Sequence, residues 1–441
     1  MKHNVNELFT QVLDVHRNVN GKIVLALSGG VDSRVMLHLL NSYCHAHHCH
    51  VIAVHVHHGL SSNADEWANQ CEQWCADINI PFYLEKVDIS DVRKDSLEQA
   101  ARVARYEALK HYIGSDDVLI TGHHSDDQLE TFLLALKRGS GPKGLSSMAD
   151  VIPFHQGMLV RPLLRVTRQC IEKYASVHQL EWITDESNSD TRFDRNYIRH
   201  EITPILESRW PHIRRSIQRS AELCAQQEHV IELLLSEEYR RFCRDDNGLS
   251  ISDLKGKPNM IRNQLIRFWF SSQNVPMPSK KHLSMIWSEI VLAKRDANPV
   301  LQLGNKQIRR FNDCLYCVDI YHNISSWCCN IKAETAVSLP DNLGIISLIH
   351  SKQEGTLDAK ILNTALTLTF NPEGLTATPN GRHGIKTLKH WFQEYRIPSW
   401  LRRRTPILLS KNQVVAVAGV FVSREYSGQE LELKWDKCVC S

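Results

Sequence analysis

The first two hundred residues alternate short apolar runs with amphipathic stretches. "IVLAL" (23–27) is continuously apolar, the pattern of a strand buried on both faces. "RVMLHLL" (34–40) sets Val35 with Leu39 and Met36 with Leu40 at i, i+4, which predicts a helix. The alternation continues through "VIAVHVHH", a helix over 64–77, "FYLEKVDI", a helix over 96–112, "VLITGHH" and a helix over 126–136. Strands joined by helices predict an α/β fold: a doubly wound parallel sheet, Rossmann-like, with ligands beyond the carboxyl ends of its strands. "SGGVDS", "HVHHGL" and "TGHHSDDQLET" all fall at such ends.

The pattern changes near Arg214. "SIQRSAELCAQQEHVIELLLSEEYRRF" reads as one long amphipathic helix, and helical spacing returns in "RNQLIRFWF" and "KHLSMIWSEIVLA". A strand-like pair follows in "PVLQLGNKQIRRFNDCLYCVDIY". After a poorly patterned stretch over 327–361, "LTLTF" and "VVAVAGVFV" bracket a small α+β region. These changes predict three domains: 1–213 catalytic, 214–330 mainly helical, and 331–441 C-terminal α+β. A chain of 441 residues is too long for one ordinary core, which agrees.

Bulk composition narrows the setting. Net charge is +3, so any nucleic-acid footprint must be local. "MKHNVNELFTQVLDVHRN" reads as a polar amphipathic helix without a signal core, and no apolar run reaches membrane-spanning length. The 13 cysteines lack a small-scaffold disulfide spacing, so they read as small buried hydrophobes in a reducing, cytoplasmic protein with no membrane partner.

The first chemical signal is Ser28, Gly29, Gly30, Val31, Asp32 and Ser33, between a strand and a helix. Glycines let the backbone turn and let a ligand approach. The N–H groups of the helix start then face an anion. A Walker A loop would place a lysine here, and this loop has none. Asp32 would repel a bare phosphate, so it calls for a cation between, Mg²⁺ above all.

The second signal is "TGHHSDDQLETF". Ser125 and Gln128 have capping-box spacing, with Asp126 and Asp127 in the first turn, where the helix dipole favours carboxylates. His123 and His124 precede them, so the group could hold a metal-nucleotide or move a proton. "KRGSGPKGLSSM" then reads as a mobile loop able to close over a site. Arg102 and Arg105 share a helix face. They read either as a solvated face, with Glu98 pairing to Arg102, or as guanidiniums aimed at phosphates. "CHAHHCHVIAVHVHHGL" and "CLYC" with Cys328 and Cys329 invite a metal reading, but their spacing is irregular: no tightly bound metal is expected on the histidine-rich strand, and for Cys314, Cys317, Cys328 and Cys329 the sequence does not decide.

The third signal lies over 382–411, where eight Lys or Arg face one acid, Glu394. Trp391, Phe392, Tyr395 and Trp400 interleave with the charges. Phosphate-binding cations with stacking aromatics suit RNA, whereas a solvated basic face over core aromatics is the plainer alternative. Arg382, Lys386, Lys389, Arg402, Arg403 and Arg404 are the candidate RNA contacts.

"SGGVDS" resembles the signature of the PP-loop, or N-type, ATP pyrophosphatases, which split ATP into AMP and pyrophosphate. With "VHVHHGLSSNADEWA", "EQAARVARYEAL", "HHSDDQLETFLLALKRGSGPKGLSSM", "RPLL", "DESNSDTRFDRNYIRHEITPIL" and "GRHGIKTLKHWFQEYRIPSWLRRRTPILL", most of the chain resembles the tRNA(Ile)-lysidine synthases. The resemblance implies that ATP adenylates the 2-keto oxygen of the wobble cytidine in a tRNA(Ile) with a CAU anticodon. Free L-lysine then displaces AMP through its ε-amine. The product pairs with A rather than G, and the tRNA changes from methionine to isoleucine identity. It also implies ATP and Mg²⁺ as cofactors, Ser28 to Ser33 as the pyrophosphate loop and Asp32 on Mg²⁺. Arg102, Arg105, His124, Asp127 and Arg199 match essential polar positions of the family, and a homodimer is the assembly to be checked. Two rivals stand beside this reading. A PP-loop tRNA thiolase needs cysteines near the nucleotide, and Cys71 and Cys75 lack CxxC spacing. A non-catalytic, histidine-rich RNA- or metal-binding protein has no use for "SGGVDS" with "HHSDDQ".

Overall fold

Val24 and Leu25 are fully buried, as a strand covered on both faces requires. They lie in β1 (Ile23–Ala26), the centre of a six-stranded sheet in the computed structural model, which describes residues 5–59, 61–88, 97–273, 275–294, 297–351 and 356–437. Helix α1 (Val5–His16) precedes β1, and α2 (Val31–His47) follows it. Then come β2 (Val51–His57), α3 (Ala64–Ala76), β3 (Phe82–Lys86), α4 (Leu97–Lys110), β4 (Val118–Ile120) and α5 (Ser125–Lys137). A one-turn helix α6 (Pro142–Leu145) leads to β5 (Val151–Phe154), β6 (Gly157–Val160) and α7 (Arg168–Val177).

Strand order is β3-β2-β1-β4-β6-β5. The first five strands in that order are parallel, and β5 closes the edge antiparallel to β6. The expected parallel sheet is thus present with one antiparallel edge strand. The chain leaves β1 toward β2 on one side and reaches β4 on the other. The crevice between the carboxyl ends of β1 and β4 is therefore the topological switch point, where ligands bind in such sheets. Val35, Met36, Leu39 and Leu40 of α2 are buried against one sheet face with Ile171 and Ala175 of α7. Leu109 of α4 and Phe154 pack in the cluster that includes Val24, Ile52 and Leu119.

Contacts divide the chain into two compact units, 1–232 and 233–441. The expected long helix is present as Ile213–Phe242. Within the second unit, helices Asn259–Ser272 and Lys280–Met285, the latter continued by a π-turn at Ile286–Val291, pack on a four-stranded antiparallel sheet. Strands Val300–Leu303, Lys306–Phe311 and Cys314–Asp319 make three members of it, where the sequence suggested a pair. A five-stranded and a three-stranded antiparallel sheet follow. The stretch over 327–361, unpatterned in sequence, supplies Cys328–Ile331, Ala336–Ser338 and Ile345–His350 to them. Among the described residues no helix is long and apolar enough to cross a membrane.

Candidate active site

The loop after β1 is braced by one buried hydroxyl. Ser33 Oγ accepts from the N–H of Ser28 (3.2 Å) and of Gly29 (3.1 Å), and donates to the carbonyl of Gly30 (3.0 Å). Gly29 has φ +88°, the left-handed region, and a Cβ there would sit 2.6 Å from Ile183 Cδ1. Ile183 donates its N–H to the Gly29 carbonyl (3.0 Å), so the segment after α7 covers the loop. Gly30 caps α2 in extended conformation without a side-chain bond, and the Val31 side chain is buried in the core. The N–H groups at the start of α2 thus open toward the crevice, as an anion cradle requires. Gly122, just past β4, permits the closest approach: a Cβ on it would lie 3.2 Å from Asp32 Cβ and 3.3 Å from Ser33 N.

The cap of α5 is shifted by one residue from the expected Ser125–Gln128 box. His124 is the N-cap: its Nδ1 accepts from Asp126 N (3.3 Å), and Asp127 Oδ2 accepts from His124 N (2.9 Å). This exchange turns His124 Nε2 outward, 3.6 Å from Asp32 Oδ1 and 3.5 Å from Asp127 Oδ2. One imidazole, 2% exposed, thereby joins the end of β4 to the loop after β1. Gln128, released from the cap, bonds Met148 through both its amide atoms. The Gly/Ser-rich segment expected to be a mobile loop is therefore tied to α5 and contains α6.

Asp32 and Asp127 experience opposite fields. Burial pushes Asp32 above the ordinary carboxylate range, against the pull of His124 and Arg168. Burial also opposes ionisation of Asp127, but His124, His123, Arg195 and the His124 N–H outweigh it and hold it below the usual range. Arg199 lies 3.5 Å from Asp127 Oδ1 and is itself held by Glu130, through Nε (2.6 Å) and Nη2 (3.1 Å). Glu130, 1% exposed, also accepts from Arg195 Nε (2.9 Å). Arg214 pairs with both Asp126 and Glu207. Thus Asp32, His124, Asp127 and Arg199 converge, and they sit at the switch point.

Arg102 and Arg105 are placed differently. Both guanidiniums lie over the Tyr106 ring, 5.1 and 5.4 Å from its centroid. The Glu98 side chain, the expected partner of Arg102, lies outside the described residues. Together with Arg161 they bear on His123, whose burial and cationic neighbours push it well below the usual imidazole range. In the histidine-rich strand, His55 Nδ1 meets the carbonyl of Leu27 (2.8 Å) and His57 Nδ1 accepts from Gly59 N (3.2 Å), so one nitrogen of each ring is engaged in a local bond. Cys71 and Cys75 are buried, and burial pushes both thiols up to about 12.

The site offers one feature of a cation ligand. Asp32 Oδ1 is buried and has no hydrogen-bond partner, while Oδ2 faces Arg168 (3.3 Å). Among the described residues no three His, Cys, Asp or Glu side chains form a metal cage. One free carboxylate oxygen beside a phosphate cradle fits Mg²⁺, which takes much of its shell from phosphates and water.

In the second unit the basic stretch corrects part of the sequence reading. Trp391 and Phe392 are core residues, 1% and 0% exposed, and Tyr395 stacks on Phe421. Trp400 packs edge-on against Phe311. Trp391 and Phe392 therefore cannot stack on bases. Arg404 is also buried, paired with Asp341 and lying over Tyr321, so its guanidinium serves the domain's own fold. Arg402 is half-buried with Nε on the Ile397 carbonyl (3.0 Å). Arg403, Arg382, Lys386 and Lys389 are exposed. Arg403 pairs with Glu373, and Glu394 lies 3.5 Å from Arg382 and 3.7 Å from Lys386.

The residues missed in sequence are Gly122, Glu130, Arg168 and Arg195. Asp127 and Glu130 are i, i+3 on α5, and Arg195 and Arg199 are i, i+4, so complementary faces were there to be matched. Gly122 and Arg168 carried no local signal.

Family profiles cover most of this architecture. One described as the PP-loop domain matches residues 1–206, one described as the TilS substrate binding domain matches 249–316, and one described as the TilS substrate C-terminal domain matches 366–437. The tRNA(Ile)-lysidine synthase of Vibrio vulnificus (strain CMCP6) is 50% identical over 429 residues, spanning 97% of this chain and 98% of the relative. Those of Vibrio cholerae serotype O1 (strain ATCC 39541) and Photobacterium profundum are 48% and 46% identical, each over 94% of this chain and 94% and 95% of their own lengths. Similarity of that depth and extent, in a chain whose glycine loop and helix cap meet at the switch point, has one meaning: the chain belongs to the tRNA(Ile)-lysidine synthase family.

Proposed function

We propose that this chain joins free L-lysine to the wobble cytidine of a tRNA(Ile) with a CAU anticodon, splitting ATP to AMP and pyrophosphate. The observation that carries the reading is the meeting of Asp32, His124, Asp127 and Arg199 above a phosphate loop that lacks a lysine, in a chain of this family. The cytidine must leave its stack to be reached. Its 2-keto oxygen attacks the α-phosphorus, and the bond to the bridging oxygen breaks with pyrophosphate leaving. The lysine ε-amine then attacks C2, the C2–O bond breaks and AMP departs with that oxygen. Turning the oxygen into AMP makes a poor leaving group a good one.

Ser28 to Ser33 form the phosphate loop: Ser33 Oγ holds the N–H groups of Ser28 and Gly29, and those from Gly30 to Ser33 face the phosphates. Asp32 would hold Mg²⁺ through its free oxygen, and the ion would supply charge neutralisation on the phosphates. His124 fixes the spacing of Asp32 and Asp127. Glu130 braces Arg199 against Asp127. Asp127, kept ionised, is suited to hold the incoming lysine ammonium by charge, and His123 is kept neutral by its burial and the arginines around it. Arg102 and Arg105 supply positive charge beside His123. In the C-terminal part, Arg382, Lys386, Lys389, Arg402 and Arg403 form the tRNA-facing surface, and Arg404 does not. The division into 1–213, 214–330 and 331–441 follows this partition of labour, and the reaction belongs in the cytoplasm, with its tRNA and ATP.

The test is incubation with tRNA(Ile) transcript, ATP, and either labelled lysine or a sulfur donor. Lysine-dependent AMP release with label entering the tRNA supports the reading. AMP release only with the sulfur donor would replace it by a thiolase, against which the buried, protonated Cys71 and Cys75 already argue. Light scattering of the active protein reads whether it is a homodimer.

A further inference from the structure

Cleaving ATP between its α- and β-phosphorus leaves pyrophosphate with most of the negative charge. Donors aimed at developing charge are a large part of catalysis. The loop over 28–33 has no cationic side chain of its own. Among the described residues, two side chains bring a nitrogen within ion-pair distance of Asp32, the His124 imidazole and the Arg168 guanidinium. His124 is fixed inside the cap of α5. Arg168 is different: it opens α7 directly after Thr167, the residue that caps that helix by accepting from Cys170 N (3.3 Å).

The Arg168 side chain is tethered from behind and open in front. Its Nε donates to Glu172 Oε1 (2.8 Å), one turn along α7. That bond orients the guanidinium so that Nη1 reaches Asp32 Oδ2 at 3.3 Å. A charge-assisted bond is normally about 2.7–2.9 Å, so this contact is loose. Among the described residues Nη2 has no hydrogen-bond partner, and the side chain is 36% exposed. The terminal fork is therefore held beside the phosphate loop, with one nitrogen on an exchangeable partner and one free.

We infer that Arg168 is a catalytic residue that takes the leaving pyrophosphate in its guanidinium fork. The inference rests on the adenylation reaction proposed above. A cation held by Asp32 would neutralise the carboxylate and leave Arg168 Nη1 for phosphate oxygens. Arginine suits this place because its planar fork matches phosphate oxygens pairwise. In the step itself, the cytidine oxygen forms its bond to the α-phosphorus. The bond from that phosphorus to the bridging oxygen breaks, and the electron pair leaves with pyrophosphate onto Arg168. No proton moves.

The experiment compares the full chain with Arg168→Gln and Arg168→Lys, measuring pyrophosphate release with tRNA and varied ATP. Inorganic pyrophosphate and AMP are added separately as inhibitors. Losing hydrogen bonds to a charged partner should raise the inhibition constant for pyrophosphate roughly 10- to 100-fold in Arg168→Gln, with a matching fall in kcat. In Arg168→Lys, which keeps the charge but loses the fork, the rise should be smaller. The inhibition constant for AMP and the KM for tRNA should stay within about threefold, inside ordinary mutational scatter. Equal shifts for pyrophosphate and AMP would overturn the inference, because Arg168 would then only shape the loop. No shift for either would overturn it too. If Arg168→Gln does not fold, Arg168→Lys gives the same comparison alone. A wild-type protein releasing no pyrophosphate would instead overturn the reaction assignment.

Discussion

Glu130 is the buried centre of the ion network, and Glu130→Gln removes its charge at nearly constant shape. The carboxylate accepts three bonds, from Arg195 Nε (2.9 Å), Arg199 Nε (2.6 Å) and Arg199 Nη2 (3.1 Å). Its side chain is 1% exposed, whereas those of Arg195 and Arg199 are 26% and 28% exposed. Removing one partner of a fully buried pair costs about 3–5 kcal/mol. Water reaches both guanidiniums, and glutamine keeps one acceptor oxygen, so the cost here should be about 2–3 kcal/mol. For a unit of this size that lowers Tm by roughly 5–10 °C. The assay is thermal unfolding of the full chain with and without a non-hydrolysable ATP analogue. The transition that the analogue raises belongs to the nucleotide-binding unit. Pyrophosphate release, measured well below that transition, should also fall by at least about tenfold, because Arg199 loses the brace that aims it at Asp127. A Tm change under about 2 °C together with normal pyrophosphate release would refute the reasoning.

Four further outcomes follow. Gly122→Ala places a Cβ 3.2 Å from Asp32 Cβ, so it should displace Asp32 and lower adenylation strongly while circular dichroism stays native; unchanged kcat would show that the loop yields freely. Arg404→Ala should destabilise the C-terminal region by about 3 kcal/mol, read by urea unfolding. Arg403→Ala should leave stability nearly intact and flatten the salt dependence of tRNA binding by roughly 0.7–0.9 in log–log slope, and equal behaviour of the two variants would contradict their different burial. Asp117 is held below the ordinary carboxylate range, where burial opposes ionisation but Lys22 and the N–H groups of Gly114 and Lys22 prevail. Its stabilising effect is therefore present above the unfolded pKa of about 3.9 and lost as pH falls through the lower folded value. Urea midpoints of wild type and Asp117→Asn should converge between about pH 5 and pH 2.5, and a constant gap would contradict the assignment.

The strand–loop–helix around Asp32 was legible because each local signal agreed: a continuous apolar run, a glycine where φ is positive, then helical spacing. The helix cap was misplaced by one residue because histidine is not a common N-cap, and Ser125 is. Only the folded chain reveals that the His124 imidazole can accept from Asp126 N and still face Asp32. The β5–β6 hairpin escaped notice because its strands have four residues each and Pro153 interrupts one. Over 327–361 the strands are short and half-exposed, so alternation never builds up. Long-range pairing was the main blind spot. Glu130 meets Arg195 and Arg199 across more than sixty residues, and Arg404 meets Asp341 across 63, so charge pattern alone could not separate a core ion pair from an RNA contact.

The central chemical claim is that the wobble cytidine is activated on its own oxygen and that lysine then displaces AMP. It is tested most directly by preparing tRNA(Ile) whose wobble cytidine carries ¹⁸O at the 2-keto position and incubating it with the full chain, ATP and lysine. Mass spectrometry of the products should find the heavy oxygen in AMP, in equal amount to a nucleoside that has gained lysine and lost one water. Heavy oxygen retained in the modified nucleoside, or lysine incorporation without labelled AMP, would contradict it.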